Sequence, residues 1–238
     1  MSEKMRINKY IANAGVCSRR DADKLVEEGK VTVNGCLATP GVSVLDTDVV
    51  CVNGKAIRVK DDKVVLAFYK PIGITCTERD KFAEKTIMEY VKYPVRVTYA
   101  GRLDKDSEGL ILLTNDGNLI QALMKGSNHH EKEYVVKVDK EIKEHFLEKM
   151  SQGVYLRELD RTTRPCRVTQ VGKNTFNIIL TQGLNRQIRR MCKELGYTVT
   201  SLKRIRIEKI TIDGLKIGQY RELTAKEKEN LYETVGLK

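Results

Sequence analysis

The stretch that organises this chain spans residues 100–113 and reads AGRLDKDSEGLILL. A run typical of a β-strand, residues 96–99, precedes it, and an apolar run, residues 110–113, ends it. Charged residues crowd the segment between these two predicted strands, which favours a loop over a core. Loops held by rigid strands often carry catalytic residues. The same carboxylates could equally be solvated or paired with Arg102 and Lys105, so the residues alone leave both interpretations open.

Length and charge limit the possible function classes. The chain has 238 residues, of which 41% are hydrophobic, with a formal net charge of +11 and an isoelectric point near 9.3. This length predicts one large domain or a small and a medium one, with enough apolar residues for a core. The positive charge indicates a polyanionic partner, nucleic acid first, unless it serves only solubility.

The cysteines and the hydrophobic runs predict a cellular compartment. The six cysteines form no CxxC pair, which predicts reduced thiols rather than disulfides or a zinc site. No apolar run approaches the roughly 20 residues that span a bilayer. The first residues, MSEKMRINKY, contain no apolar signal region. We therefore expect a cytoplasmic protein, without membrane association and monomeric.

Residues 1–62 are predicted to form a small basic domain of two helices followed by short strands. Apolar residues at helical spacing predict the first helix, and Ser18 with Asp21 three positions later predicts the cap of the second. Strands are expected at 31–33 and 49–52, each followed by an Asn-Gly turn, and a charged linker at 53–63. The helical part concentrates cations, which either bind RNA phosphates or form a solvated face. The candidates are Arg6, Lys9, Arg19, Arg20 and Lys24.

Residues 63–238 are predicted to form a larger domain in which strands outnumber helices. The residue pattern predicts strands at 65–69, 131–138, 163–171 and 174–181, and helices at 86–91, 118–125, 141–150, 184–195 and 225–235. Residues 197–220 are expected to contain short strands and an exposed basic stretch. Because β-helix-β alternations are few, the pattern favours an α+β domain with a mixed, mainly antiparallel sheet and flanking helices.

Positive charge is concentrated between residues 186 and 209, which carry eight cations and two anions. Localised charge of this kind favours a surface that follows nucleic-acid phosphates over general solubility. Ile188 and Met191 are predicted to pack one side of a helix in this segment. The cations of the opposite face are Arg186, Arg189, Arg190 and Lys193, and the further RNA-binding candidates are Lys203, Arg204 and Arg206.

Several motifs resemble those of a known family. Similar motifs occur in pseudouridine synthases of the RsuA/RluB/RluE/RluF group: GRLD and DSEGL within 101–110, GLNRQIRRM at 183–191, YKPIG at 69–73 and KEY at 132–134. Residues 6–35, RINKYIANAGVCSRRDADKLVEEGKVTVNG, resemble an S4 domain, which is an RNA-binding module. The resemblance covers nearly the whole chain and implies that YKPIG supports the catalytic loop.

The resemblance also implies residue roles. Asp104 matches the catalytic carboxylate, Tyr134 the active-site tyrosine and Leu180 an apolar residue that lines the pocket. Arg189 matches the residue that forms a salt bridge with the catalytic aspartate, although it could instead be a phosphate contact. The other substrate-binding candidates are Arg102, Asn185, Arg186, Gln187 and Arg190.

The implied reaction detaches uracil from C1′ of its ribose and rejoins it through C5, with no redox change, metal or cosubstrate. Asp104 either attacks C1′ or removes a sugar proton to give a glycal, and a cation beside a carboxylate favours its charged form. Tyr134 would stack on the flipped uracil or assist proton removal from C5. Arg102 would hold a phosphate or fill the gap left in the stack. Base flipping is expected because the reacting atoms are inaccessible in a helix.

Other kinds of site fit the sequence less well. Asp104 and Asp106 could bind magnesium in a nuclease, but no third acidic cluster is evident in the sequence. His129, His130 and His145 have no usual zinc spacing. The sequence also lacks the glycine-rich motifs of nucleotide cofactors.

Within the group, the RluF type is most similar, through residues 104–109, 128–134 and 185–191. This similarity implies action on 23S ribosomal RNA and, in addition, on the anticodon of a tyrosine tRNA. An RsuA-like synthase acting on 16S ribosomal RNA is one alternative. Another is a non-catalytic RNA-binding or ribosome-assembly factor, which would explain the S4 domain and the basic helix but not the catalytic motifs.

Overall fold

The computed structural model describes residues 4–59, 62–77 and 85–237 of the chain. Its contacts divide the chain into two compact units. The first contains Met1–Val64 with the short segments Tyr93–Val97 and Asn115–Gly117, and the second contains Val65–Lys92, Thr98–Thr114 and Asn118–Lys238. Among the described helices, none is long and apolar enough to cross a membrane.

The first unit packs two helices and short strands around one apolar core that includes Ile11, Ala22 and Val31. Ser18 accepts a hydrogen bond from the Asp21 backbone at 3.2 Å and caps the second helix, which confirms the predicted helix start. The elements of this unit are β1 (Met5–Arg6), α1 (Ile7–Asn13), α2 (Arg19–Glu27), β2 (Val31–Val33), β3 (Cys36–Leu37), β4 (Ser43–Val44), β5 (Val50–Val52) and β6 (Lys55–Ile57).

A hairpin occupies part of the predicted linker. β6 pairs antiparallel with β5 and extends a sheet of order β3-β2-β5-β6. The linker prediction for 53–63 is therefore wrong in this part, because the Asn53-Gly54 turn returns the chain to the same sheet. Lys60 and Asp61, also within the predicted linker, lie outside the described residues.

The second unit contains a large sheet with helices. Its strands are β7 (Val65–Lys70), β8 (Thr98–Ala100), β9 (Glu108–Thr114), β10 (Lys132–Val138), β11 (Tyr155–Leu156), β12 (Arg161–Thr162), β13 (Arg167–Gly172), β14 (Thr175–Leu180), β15 (Val199–Ile207), β16 (Ile210–Thr211) and β17 (Tyr220–Glu222). Its helices are α3 (Ile87–Tyr90), α4 (Gly117–Met124), α5 (Glu144–Gln152), α6 (Gln187–Glu194) and α7 (Ala225–Thr234). The five predicted helices of this domain are confirmed, with shifts of up to three residues at their ends.

Nine strands, counted over the described residues, form one sheet of order β13-β14-β10-β15-β9-β7-β17, with β8 beside β9 and β16 beside β15. Their pairs are antiparallel except that of β15 with β9, which is parallel. This arrangement confirms the predicted α+β class with a mixed, mainly antiparallel sheet. The expectation of an exposed basic stretch within 197–220 is wrong, because β15 is a nine-residue strand in the middle of the sheet.

Two apolar clusters join the sheet to its helices. One connects β10 and β14 with α5 and α6, and its members include Phe146, Phe176 and Met191. The other connects β7 and β9 with α4 and α7, and includes Leu112 and Leu119. β7 is buried over its whole length and β9 over all but its first residue, which explains why both read as continuous apolar runs.

The parallel pair β9–β15 positions the end of the 100–113 stretch. Gly109 on β9 lies opposite Arg204 on β15. The glycine has φ +117°, and a Cβ atom there would lie 2.2 Å from the Arg204 carbonyl oxygen. Only glycine allows this close approach, which brings the loop before β9 against the centre of the sheet.

Candidate active site

The segment after β7 supports the loop 101–107, as the resemblance implied. Lys70 is fully buried and donates from Nζ to the carbonyl oxygen of Ser107 at 2.8 Å. The Gly73 N–H donates to the Lys105 carbonyl at 2.8 Å, and the Ser107 N–H donates to the Asp104 carbonyl at 3.1 Å. Burial lowers the pKa of Lys70, although the nearby thiol and loop carboxylates oppose that shift. Three backbone carbonyls of the loop are therefore fixed before any substrate binds.

Two arginines near the start of α6 bind the loop, and both bind Asp106. Arg186 donates from Nη1 and Nη2 to the two carboxylate oxygens of Asp106, at 3.2 and 2.8 Å. Arg189 places Nε 3.4 Å from Asp106 Oδ2 and donates from Nη2 to the Asp106 carbonyl at 2.9 Å and the Ser107 hydroxyl at 3.2 Å. Asp104 Oδ2 lies 3.7 Å from Arg186 Nη1. The predicted salt bridge between Arg189 and Asp104 is therefore wrong, because Arg189 reaches the far end of the loop and Arg186 takes the place beside Asp104.

Charge pairing shifts the pKa values of Asp106 and Arg186. Burial raises the pKa of the Asp106 carboxyl, but hydrogen bonds from Arg186 and the charge of Arg189 outweigh burial and lower it. The hydrogen bonds to Asp106 raise the pKa of Arg186 in turn. Arg186 also has φ +50°, a left-handed conformation at the residue preceding α6. The ion pair stabilises a backbone conformation that is otherwise uncommon for a non-glycine residue.

Some predicted substrate-binding residues instead hold the start of α6. Gln187 is buried, and its Oε1 accepts from the Leu184 N–H at 3.0 Å. Arg190 donates from Nε and Nη2 to the carbonyl and Oδ1 of Asn185, at 3.0 and 3.1 Å, and forms an ion pair with Glu158. Protein groups therefore hold the guanidinium of Arg190, and its predicted substrate binding stays a prediction.

A cavity of about 650 Å³ opens beside the loop, a size typical of small-molecule and nucleotide sites. Asp104 lines it from the loop, Tyr134 from β10 and Leu180 from the end of β14. The other predicted site residues that line it are Arg102, Asn185, Arg186, Gln187 and Arg204. Its described lining does not include Arg189, Arg190, Lys193, Lys203 or Arg206.

His130, Lys132 and Gln182 are among the polar residues of this cavity that sequence reasoning did not assign. His130 is 6% exposed, and its Nδ1 lies 2.9 Å from Glu208 Oε1. The available signal was the alternation of β10, which places Lys132 and Tyr134 on one face of the strand. No such pattern pointed to His130 or Gln182, because His130 lies before β10 and Gln182 lies after β14.

Two predicted RNA-binding arginines of β15 are engaged by protein groups. Arg204 is 2% exposed and donates from Nε to the Leu110 carbonyl at 2.6 Å. Arg206 binds Glu131 and Glu133 at 3.0 and 2.7 Å. Burial contradicts the prediction that Arg204 contacts RNA phosphates at the surface. Arg206 is partly exposed and its charge is paired with Glu131 and Glu133, so its contact with RNA stays a prediction.

Lys193 and Lys203 keep some exposure. Lys193 Nζ lies 2.9 Å from Glu158 Oε1, but 74% of its side chain is exposed, so the ion pair is weak. Lys203 places Nζ 4.9 Å from the centroid of the Tyr69 ring. In the first unit, cations cover the helical surface: Arg6, Arg19, Arg20 and Lys24 are exposed and Lys9 is partly exposed.

Cysteine and metal chemistry have no clear site in the described part of the chain. The six cysteines are free thiols. Burial raises the pKa of Cys166 to about 11 and that of Cys192 to about 12, which makes these thiols poor nucleophiles. Over the described residues, no group of three or more His, Cys, Asp or Glu side chains could hold a metal ion.

Comparison with known proteins identifies both units. Residues 64–194 match the family model of RNA pseudouridylate synthases, and residues 5–50 match that of the S4 domain. The chain is 46% identical over 233 residues to the dual-specificity RNA pseudouridine synthase RluF of Escherichia coli K12, covering 97% of this chain and 79% of that protein. It is 45% identical over 232 residues to RluF of Salmonella typhi, with the same coverage.

More distant relatives agree. The chain is 36% identical over 232 residues to ribosomal large subunit pseudouridine synthase B of Bacillus subtilis, covering 95% of each protein. A crystal structure of a pseudouridylate synthase superimposes with a TM-score of 0.71 at 28% identity, covering 95% of this chain and 99% of that one. This chain therefore belongs to the RNA pseudouridine synthases, isomerases that convert uridine to pseudouridine in RNA, and it also contains an S4 domain.

Proposed function

We propose that this synthase isomerises one specific uridine of 23S ribosomal RNA, with Asp104 as the catalytic carboxylate. The observation that carries the proposal is the cavity in which Asp104, Tyr134 and Leu180 meet from three separate segments. A flipped nucleotide would place its sugar near Asp104 and its base near Tyr134. Flipping is required because C1′ and C5 of a stacked uridine are inaccessible in a helix.

Asp104 is the loop carboxylate with room to react. Its side chain is 33% exposed and lines the cavity, whereas Arg186 binds both carboxylate oxygens of Asp106. In one route an Asp104 oxygen bonds to C1′ as the C1′–N1 bond breaks. In the other, Asp104 removes the C2′ proton, a C1′–C2′ double bond forms, and the same C1′–N1 bond breaks. In the first route C5 of the turned uracil then bonds to C1′ as the Asp104–C1′ bond breaks. In the second, C5 bonds to C1′ while Asp104 returns the proton to C2′. In both routes the C5 proton is lost last.

The remaining site residues support these steps. Tyr134 stacks on the flipped uracil and assists removal of the C5 proton. Arg189 acts as a positioning residue, because it holds the loop through Asp106 and Ser107. Arg102 is exposed at the cavity and binds a phosphate of the extruded nucleotide.

The names of the relatives support the proposed RNA target. The similar proteins from Escherichia coli and Salmonella typhi are named dual-specificity synthases, and the Bacillus subtilis relative is named for the large ribosomal subunit. We infer a 23S site and a second site in a tyrosine tRNA anticodon for this chain, in the cytoplasm. The exposed cations of an RNA-binding domain within residues 1–62, with Lys193 and Lys203 of the catalytic domain, would track the RNA backbone.

Pseudouridine mapping by carbodiimide modification and reverse transcription tests this proposal. RNA is compared from cells that have the gene, lack it, or carry Asp104→Asn. Asp213→Asn is the matched control, because Asp213 is an exposed aspartate of the same unit that does not line the cavity. We expect one 23S stop and one tRNA stop to vanish in the null strain and in Asp104→Asn and to persist in the control.

Each of the other possible outcomes would contradict a different part of the proposed function. A stop lost from 16S rather than 23S RNA would mean that the target is wrong and the activity assignment stands. Wild-type modification by Asp104→Asn would remove Asp104 from the catalytic role. Retained RNA affinity in a protein that modifies no site would favour a binding or assembly factor.

A further inference from the structure

The cavity has a cationic wall that the mechanism above does not use. Lys132, His130 and Arg204 line the same cavity as Asp104. Among the described residues, His130 Nε2 and Arg204 Nη2 are buried without a hydrogen-bond partner. Buried polar atoms in native structures are nearly always satisfied, so such atoms at a cavity indicate a ligand that supplies the missing partners.

The three side chains are held rigidly. Glu208 Oε1 binds His130 Nδ1 at 2.9 Å and also accepts the Glu131 N–H at 2.8 Å. Arg204 is anchored through its Nε, as described above, and Lys132 Nζ donates to the His130 carbonyl at 3.3 Å. A pre-oriented group of donors of this kind stabilises charge without reorganising during the reaction.

The electrostatics of the wall favour an anion. The pKa of Lys132 is lowered to about 8, chiefly by burial and also by the positive charge of Arg204, while Glu208 opposes the shift. Two cations that are desolvated and repel each other gain stability when a negative charge enters between them. A phosphate could satisfy them, but phosphates stay at the solvated backbone of an RNA, whereas the flipped base is the part that enters a cavity.

The chemistry creates an anion at this position. In both routes for Asp104 the C1′–N1 bond breaks heterolytically, and its electron pair stays on the uracil. The departing base is a uracil anion whose charge is delocalised over O2 and O4. The cavity wall supplies N–H donors that match these two oxygens and strengthen as the charge develops, which lowers the barrier to cleavage.

We propose that Lys132, His130 and Arg204 form an anion hole for the departing uracil, with Glu208 as a positioning residue for His130. This inference rests on the proposed assignment of the cavity as the active site. Lys132 and Arg204 carry charge to the leaving base, and His130 completes its hydrogen bonding. The wall thus assists the cleavage of the C1′–N1 bond.

Single-turnover kinetics with two leaving groups test the proposal. The substrate is an RNA fragment that spans the mapped site and carries uridine or 5-fluorouridine at the target. Fluorine withdraws electrons from the ring, so 5-fluorouracil leaves more easily and needs less stabilisation. Because 5-fluorouridine has no C5 proton to lose, the reaction of both substrates is followed as the loss of the starting nucleotide, after nuclease digestion and chromatography with mass spectrometry. RNA affinity is measured by filter binding.

We expect Lys132→Met to slow uridine conversion by about 100-fold while RNA affinity changes by less than about twofold. With 5-fluorouridine the loss should shrink to about 10-fold or less. Lys137→Met, on the opposite face of the same strand, is the control and should match wild type. Glu208→Gln should give a smaller loss, roughly 10-fold, with the same dependence on the leaving group, as befits a positioning residue.

Several results would overturn the anion hole. Equal losses on both leaving groups would exclude leaving-group stabilisation, and a loss confined to RNA affinity would make the wall a phosphate site. A wild-type rate for Lys132→Met, alongside an inactive Asp104→Asn, would overturn the hole and leave the proposed function intact. If Lys132→Met does not fold, the rate losses of Glu208→Gln with uridine and with 5-fluorouridine test the proposal instead.

Discussion

The partly buried ammonium of Lys132 leads to a prediction about stability as well as catalysis. The pKa of Lys132 falls from 10.5 to about 8, mainly through burial. A difference of that size between the folded and unfolded states corresponds to at most about 3 kcal/mol of destabilisation at neutral pH. Because Lys132 is only partly buried, solvent screening reduces the value to roughly 1–2 kcal/mol. Lys132→Met keeps the aliphatic stem and removes the charge, so it should stabilise the free protein by that amount.

The pH dependence gives the sign of the effect. Below pH 8 the lysine is charged in both states, so the folded state bears the full penalty of burying the charge. Between pH 8 and 10.5 the folded state loses its proton first, and the penalty disappears progressively. The advantage of Lys132→Met over wild type should therefore be greatest at pH 7 and should have shrunk markedly by pH 9.5.

Thermal and urea denaturation followed by circular dichroism measure this difference. A gain of 1–2 kcal/mol should raise the melting temperature of the catalytic unit by roughly 2–8 °C, and Lys137→Met should leave it unchanged. A destabilised Lys132→Met at pH 7, or a gain that does not vary with pH, would refute the reasoning. A more stable but slower enzyme would show that the fold tolerates this charge for the sake of catalysis.

Three further substitutions test the packing and the charge pairs. Gly109→Ala would place Cβ 2.2 Å from the Arg204 carbonyl oxygen at φ +117°, so denaturation should reveal a loss of about 3 kcal/mol or more, and wild-type stability would contradict the close approach. Glu227 has a pKa lowered to about 2, chiefly by hydrogen bonds from Arg221. Its stabilising effect is complete above pH 4.5 and is lost as the pH falls towards 2, so Glu227→Gln should cost roughly 1–2 kcal/mol at pH 7 and distinctly less at pH 3.5. Asp106→Asn removes the charge that holds two arginines against the loop, so the single-turnover rate should fall by about 10-fold or more, and an unchanged rate would exclude a positioning role.

Regular elements with a strong local pattern were predictable from sequence. The alternation in β10 and the apolar stripe of α6 each follow from one face of the element being buried, and the Ser18 cap follows from hydrogen bonding three residues ahead. The loop between β8 and β9 was predictable for the same reason, since its charges could not enter the core.

The partners of the charged side chains were not predictable. Counting cations between 186 and 209 gave a basic surface, but Glu158 and Glu131, which lie outside that segment, neutralise several of them. A local charge count contains no information on tertiary partners. Arg204 is a clearer example of the same failure. It is buried, although arginine is almost never fully buried in proteins unless it is paired. Local rules fail in this way chiefly at functional sites, which is consistent with its place at the cavity.

The two loop aspartates differ in their contacts with arginines and therefore in their proposed roles. Arg186 and Arg189 could neutralise either carboxylate, and the structure directs both of them mainly to Asp106. A carboxylate that was fully hydrogen-bonded to two guanidinium groups would be a weak nucleophile and a weak base, since its lone pairs would be occupied. Asp106 therefore holds the helix and the loop together. Among the described residues, the ion pair of Asp104 is the long contact with Arg186 at 3.7 Å, which fits the proposed role of Asp104 as the carboxylate that reacts with the substrate.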